Sequence, residues 1–176
     1  MPKIIDNARK ELIRQTRETV AKEGYTLFSM RNVAKQCGIA PGTIYNYFHS
    51  KDDLIMACMQ EDWDNTIEGI KALQEKKKLS AIQLFEKVYS GISDFCKANE
   101  SIIKDPEAGI NYFKHFSHYH SQLVNDIHEI IEPTVKQSAV SYTAFLSDFI
   151  AENILKWSVR GTSFSELKSI LKTLFK

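Results

Sequence analysis

Thr43, Tyr45, Asn46 and Tyr47 place three hydroxyls and one carboxamide within five consecutive positions of the stretch CGIAPGTIYNYF, residues 37–48. Tyrosine and threonine hydroxyls donate readily to phosphate oxygens, and an asparagine can make two hydrogen bonds to the edge of an adenine. This is the chemistry of recognition, with no nucleophile or paired acid and base to break a bond. A second cluster, HFSHYHSQLVNDIH, holds His115, His118, His120 and His128. His115 and His118 share a helical face, but zinc needs three or four converging ligands and neither a nearby cysteine nor an H-E-x-x-H pattern assists. These histidines are therefore read as surface or pocket-lining groups, and no metal or other cofactor is expected. Cys37, Cys58 and Cys96 are odd in number and widely spaced, which fits reduced packing thiols rather than a disulfide framework. Neither a G-x-S-x-G elbow nor a phosphate-binding loop is present, so no enzyme is expected.

The first group can act only if its side chains are displayed on a rigid support, and the residues around it predict one. With about 100° of rotation per residue from Ile44, Phe48 falls near 40° and Pro41 near 60°, while Gly42, Asn46 and Thr43 fall near 160°, 200° and 260°. Ile44 and Phe48 thus face a core, the small polar residues face away, and Tyr45 and Tyr47 flank them with rings resting on protein and hydroxyls reaching outward. Ahead of this rod, Ser29 can cap a short helix with Val33 and Ala34 on its inner side, stopped by Gly38. Pro41 suits the first turn of the next helix. Two helices joined by so short a turn form a helix-turn-helix, whose second member enters the DNA major groove.

The rest of the chain reads as helix throughout. Ile5, Ala8, Leu12, Thr16 and Val20 predict a first helix over 4–23, closed by Gly24. Ser50 and Asp53 form a capping pair that starts a long helix from residue 51 to 74, and the run EKKK at 75–78 is read as a solvated connection. A helix from 80 to 99 follows. Asp105 and Pro106 begin another that runs to Ile131, where Pro133 interrupts; the next spans about 134–157, and Ser163 with Glu166 opens the last. Seven Gly and four Pro leave few breaks, and the fold class is all-α. The N-terminal segment lacks a signal-peptide core and no stretch would span a bilayer, so a cytoplasmic protein without membrane attachment is expected. Residues 1–60 carry nine basic and six acidic side chains, net +3 in a chain of net +1, a mild bias toward an anionic partner.

The segment SMRNVAKQCGIAPGTIYNYFHSKDDL, with Gly24 and Tyr25 before it, resembles the DNA-binding segment of the TetR family of bacterial transcriptional regulators. The resemblance covers residues 5–56. It implies an N-terminal three-helix helix-turn-helix domain, residues 1–50, joined through a long helix to a helical ligand-binding and dimerisation domain, residues 51–176. It also implies that Ser29, Arg31, Pro41, Thr43, Tyr45, Asn46, Tyr47 and Lys51 meet DNA, Lys51 at a phosphate. Ala40 departs from the family pattern, which often has Ser or Thr there, so the recognition helix loses its usual side-chain cap.

For the larger part, the resemblance implies a cavity for a small-molecule effector, and Phe85, Tyr89, Tyr112, His115, Phe116 and Tyr119 are its expected lining. Apolar stripes on the last two helices predict a four-helix homodimer interface, with Tyr142, Leu146, Phe149, Ile150, Leu167 and Leu171 as its members. The expected function is that of a ligand-responsive homodimeric regulator, a repressor that covers a palindromic DNA operator. The alternative is a TetR-like interaction module that acts through a protein partner.

Overall fold

The structure, a computed structural model, describes residues 7–138, 141 and 144–175, with side chains given except at 106, 107 and 109–118. Among the described residues every regular element is helical: α1 (Ala8–Leu27), α2 (Met30–Gln36), a 3-10 turn (Thr43–Asn46), α3 (Lys51–Lys76), α4 (Ala81–Ala98), α5 (Glu100–Ile103), α6 (Pro106–Ser138), α7 (Ala144–Arg160) and α8 (Phe164–Leu174). The chain forms two compact units, Met1–Trp63 with Asn99–Lys114, and Asp64–Ala98 with His115–Lys176. None of the described helices is long and apolar enough to cross a membrane.

In the first unit α1 buries Ala8, Leu12, Ile13, Thr16, Thr19 and Val20 at three- and four-residue steps. Thr16 and Thr19 enter this core without penalty because their hydroxyls donate to the carbonyls of Leu12 and Gln15 one turn back, at 2.7 and 2.8 Å. The helix breaks at Gly24 (φ 80°, ψ 167°), and Tyr25–Leu27 form one more turn before the Phe28 amide closes on the Gly24 and Tyr25 carbonyls. α2 ends in a Schellman motif. Gly38 sits at φ 70°, its N–H bonds to the Lys35 carbonyl, and the Ile39 N–H bonds to that of Ala34. Arg17 fastens α1 to α3 through Glu61 and Asp62, both at 2.7 Å. The Thr26 hydroxyl donates to Asp105, which also caps α6 through the Ala108 N–H.

The head of α3 is capped as its sequence predicts. Ser50 Oγ accepts from the Asp53 N–H at 3.0 Å, and the Asp53 carboxylate accepts from the His49 N–H at 2.9 Å. The helix continues past Gln74 to Lys76, so the first half of the basic run belongs to its last turn, where a cation complements the helix dipole.

The second unit is built around α4, whose inner face carries Ala81, Leu84, Phe85, Val88, Ile92 and Phe95. α7 and α8 pack on it, bringing Ile150, Ala151, Ile154 and Leu155 from α7 and Leu167 and Leu171 from α8 into the core. A reciprocal box at Ser80 and Gln83 starts α4, with the Ser80 N–H donating to Gln83 Oε1 at 2.9 Å. Ser163 caps α8 through the Ser165 N–H.

Two elements depart most from the sequence expectation. Pro133 does not end a helix: α6 runs through it to Ser138, and α7 starts at Ala144 rather than near residue 134. Ile127, Ile131 and Val135 are fully buried at successive four-residue steps, so the apolar stripe crosses the proline unbroken, and its burial outweighs the roughly 3 kcal/mol that an interior proline costs. The recognition segment is a single 3-10 turn rather than an α-helix. Its N–H groups bond three residues back, Thr43 to Ala40 and Tyr45 to Gly42, which is the tighter i to i+3 pattern, and no side chain caps it.

Candidate nucleic-acid interface

The recognition turn is held by its own backbone and by two anchors. The Thr43 N–H donates to the Ala40 carbonyl at 2.8 Å and the Tyr45 N–H to that of Gly42 at 3.3 Å. At the end of the turn the N–H groups of Tyr47 and Phe48 both reach the Ile44 carbonyl at 3.0 Å. The second of these is an α-type bond, and it returns Phe48 to the side of Ile44. Both side chains are fully buried. Arg9 stands over the Phe48 ring, its guanidinium carbon 5.2 Å from the centroid.

The opposite side of the turn faces water. Tyr45 is 45% exposed and Tyr47 41%, unusual values for large aromatics, and Asn46 and Gly42 are exposed between them. Thr43 and Pro41 are half-buried. The expected division of faces is present for Ile44, Phe48, Gly42 and Asn46, whereas Thr43, expected outside, and Pro41, expected inside, are alike half-buried in a turn tighter than the α-geometry from which the faces were predicted.

On α2, Arg31 and Lys35 are exposed. Ser29 occupies the N-cap position in extended conformation (φ −130°, ψ 125°), but its hydroxyl makes no capping bond. Lys51 is half-buried: its ammonium lies 4.0 Å from the centroid of the Tyr25 ring, 5.6 Å from that of Phe28, and 3.4 Å from the Thr26 carbonyl oxygen. The Tyr25 hydroxyl donates to Asp52. Arg9, Tyr25 and Asp52 are the members of this surface that the sequence reading did not assign. Their partners lie far along the chain, 27 residues in the case of Tyr25 and Asp52, and leave no periodic trace.

Charge on this unit is partly spent internally. Arg14 lies between Glu11 and Glu18 on one exposed face of α1, and its hydrogen bond holds the Glu11 carboxyl below its usual range. The thiols offer no reactive nucleophile. Burial pushes Cys58 up to about 12 and Cys96 up to about 11, and the Cys58 thiol donates to the Ile13 carbonyl at 3.7 Å.

The other expected sites are distributed differently. Phe85 is a core side chain, edge-on to Phe175 with centroids 5.0 Å apart. The Tyr89 hydroxyl donates to the Thr162 carbonyl and its ring lies 5.3 Å from that of Phe164, while Tyr119 is half-buried. The side chains of Tyr112, His115, Phe116 and His118 lie outside the described residues. His120 pairs with Glu152 at 3.2 Å and His128 with Asp148 at 2.6 Å. Among the described residues no group of three or more His, Cys, Asp or Glu is placed to hold a metal ion.

Of the residues expected at a dimer face, Ile150, Leu167 and Leu171 are buried within the chain's own core, because α4 takes that side of α7 and α8. Phe149 is 48% exposed, Leu146 is half-buried, and Tyr142 lies outside the described residues. Phe145, 73% exposed, joins Phe149 with ring centroids 6.1 Å apart; Val159 on α7 and Ile170 on α8 are also more than half exposed. The outward stripe is thus offset from the one the sequence suggested.

Residues 12–58 match the sequence model of bacterial regulatory proteins of the tetR family. An HTH-type transcriptional regulator of Staphylococcus aureus (strain USA300) is 26% identical over 133 residues, which cover 76% of this chain and 70% of that protein. Among solved structures, a transcriptional regulator from Cytophaga hutchinsonii superposes with a TM-score of 0.72 at 14% identity, covering 97% of this chain and all of that one. The regulator FadR of Bacillus subtilis, solved in complex with stearoyl-CoA, has a TM-score of 0.55 at 20% identity and covers 88% of this chain and 89% of its own.

Proposed function

We propose that this chain, which matches the tetR family's motif at residues 12–58 and resembles an HTH-type transcriptional regulator over 76% of its length, is a DNA-binding regulator of that family that binds a palindromic operator as a homodimer and represses transcription until a small molecule enters its C-terminal domain. The observation that carries the reading is the two-sided recognition turn, with Ile44 and Phe48 buried and Tyr45, Asn46 and Tyr47 exposed. In this reading Asn46 touches a base edge, while Thr43, Tyr45, Tyr47, Ser29 and Arg31 hold phosphates and Pro41 packs against the backbone. The free Ser29 hydroxyl suits that role, since no helix amide consumes it.

One such turn covers too little DNA for useful specificity. Two copies about 34–36 Å apart read successive major grooves, and they require a two-fold operator. The exposed Phe145, Phe149, Val159 and Ile170 supply an apolar face for the second copy. Occupying a promoter in this way blocks transcription. An effector that prefers one spacing of the two reading turns releases the DNA, and the fatty-acyl ligand of the B. subtilis neighbour makes an apolar acyl or aromatic compound the class to try first.

The test is a mobility-shift titration against DNA upstream of the chain's own gene. Binding is expected to weaken steeply between 50 and 200 mM salt, as phosphate contacts demand. Asn46→Ala should narrow the gap between operator and altered operator by about 1–3 kcal/mol. Salt-independent binding, or an equal loss for Asn46→Ala on every sequence, would contradict this assignment.

A further inference from the structure

Lys51 opens α3 immediately after its Ser50 cap, and a cation at that place is the natural candidate for a phosphate. Its surroundings point elsewhere. The ammonium rests 4.0 Å from the Tyr25 ring centroid and 5.6 Å from that of Phe28, both buried aromatics, and donates to the Thr26 carbonyl. The neighbouring Asp52 accepts the Tyr25 hydroxyl. Two successive residues at the head of α3 therefore grip one tyrosine at two places, the cation on its ring face and the carboxylate on its hydroxyl.

We infer that Lys51 serves DNA binding as a positioning residue, fastening the head of α3 to the Tyr25–Phe28 turn and so fixing the recognition turn that leads into α3. The connection is short. Tyr47 is only three residues before Ser50, and the His49 N–H already bonds to Asp53 in the first turn of α3, so the entry to the helix and the recognition turn move together. On the other side, the Phe28 amide closes the turn onto Gly24 and Tyr25, which gives Lys51 a rigid seat rather than a loose loop. A lysine ammonium is strongly hydrated, and it gives up part of that hydration only for a ring face and a carbonyl held in place. This role rests on the DNA-binding reading above.

The test compares the wild type, Lys51→Met, Lys51→Arg, Tyr25→Leu and the Lys51→Met/Tyr25→Leu pair across a salt series with one operator. Lys51→Met is expected to lower affinity about three- to tenfold at every salt concentration, the size of one cation–π contact, and to leave the slope of log K against log salt unchanged. Lys51→Arg should restore most of the affinity, since a guanidinium also stacks on an aromatic face. In the Tyr25→Leu background the methionine should cost less than twofold. A slope reduced by about one in Lys51→Met would instead mark a lost phosphate contact and overturn the inference. That measurement needs no Tyr25 variant to fold. An independent readout is the upfield ring-current shift of the Lys51 ε-methylene protons, expected in the free protein and retained when operator is added; its loss on addition of DNA would also overturn the inference. A wild-type chain that binds no DNA at any salt defeats the proposed function and this role together, while the ring-current shift would still report the Lys51–Tyr25 contact.

Discussion

Replacing Gly38 by alanine should destabilise the first unit by about 1 kcal/mol, a net of two backbone effects. Gly38 lies at φ 70°, in the left-handed region, and a Cβ added there would meet nothing within 4 Å. The cost therefore contains no clash with a neighbouring element, only the local one of Cβ with its own backbone. An L-residue held in that conformation costs about 1–2 kcal/mol, and the narrower unfolded ensemble of alanine returns roughly 0.4–1 kcal/mol. Asparagine tolerates the same region better and should recover about half of the loss. Buried Trp63 belongs to this unit and Trp157 to the other, so a Trp157→Phe background lets fluorescence follow the first unit alone during urea unfolding. With a slope of about 1–3 kcal/mol per molar urea, the midpoint should fall by roughly half a molar. Two results would refute the reasoning. If alanine proved as stable as glycine, or asparagine as costly as alanine, backbone conformation would not govern this position. A loss above about 3 kcal/mol would show that the new methyl meets something after all.

Two further predictions concern the second unit and the thiols. If the proposed dimer forms through this face, the double change Phe145→Glu/Phe149→Glu should leave a monomer in sedimentation equilibrium with helix content unchanged, because both rings are exposed in the single chain; an unchanged dimer mass would move the interface elsewhere. Cys58 should resist alkylation at pH 8 in the folded protein and react at once in denaturant, since burial raises its pKa to about 12 from 9.0. Ionisation first favours the unfolded chain as pH rises above 9.0, so the contribution of this group to stability is complete below that value and is lost toward pH 12. Thiol titration and urea midpoints across that window check both statements.

Much of the architecture could be read from local pattern because local chemistry decides it. Ser50 with Asp53 and Asp105 before Pro106 mark helix starts whose capping bonds form, while Ser163 caps α8 through the Ser165 N–H rather than the expected pairing with Glu166, and Ser29 makes no capping bond. The division between Ile44 and Phe48 inside and Asn46 outside survives the change from α to 3-10 geometry, because the Phe48 to Ile44 bond restores α-spacing where it matters. What escaped the sequence reading depends on partners distant in the chain. Ile150, Leu167 and Leu171 belong to a clear apolar stripe, but whether a stripe meets its own chain or a copy is settled by where α4 lies. The seat of Lys51 on Tyr25 and the pairing of Arg17 with Glu61 and Asp62 likewise join residues that no helical repeat connects.

Pro133 sits in the water-facing side of a helix of 33 residues, with Glu129 exposed one turn before it and Ile131 and Val135 sealed on the other side. The ring deletes the one rung that would have tied the Glu129 carbonyl, and solvent takes that oxygen at little expense. A helix that lacks this rung is expected to bend more easily on its outer edge there, while Ile131 and Val135 hold the inner edge. Where α6 yields under load is set by covalent chemistry, and Pro133→Ala should stiffen the helix there and slow amide exchange around it.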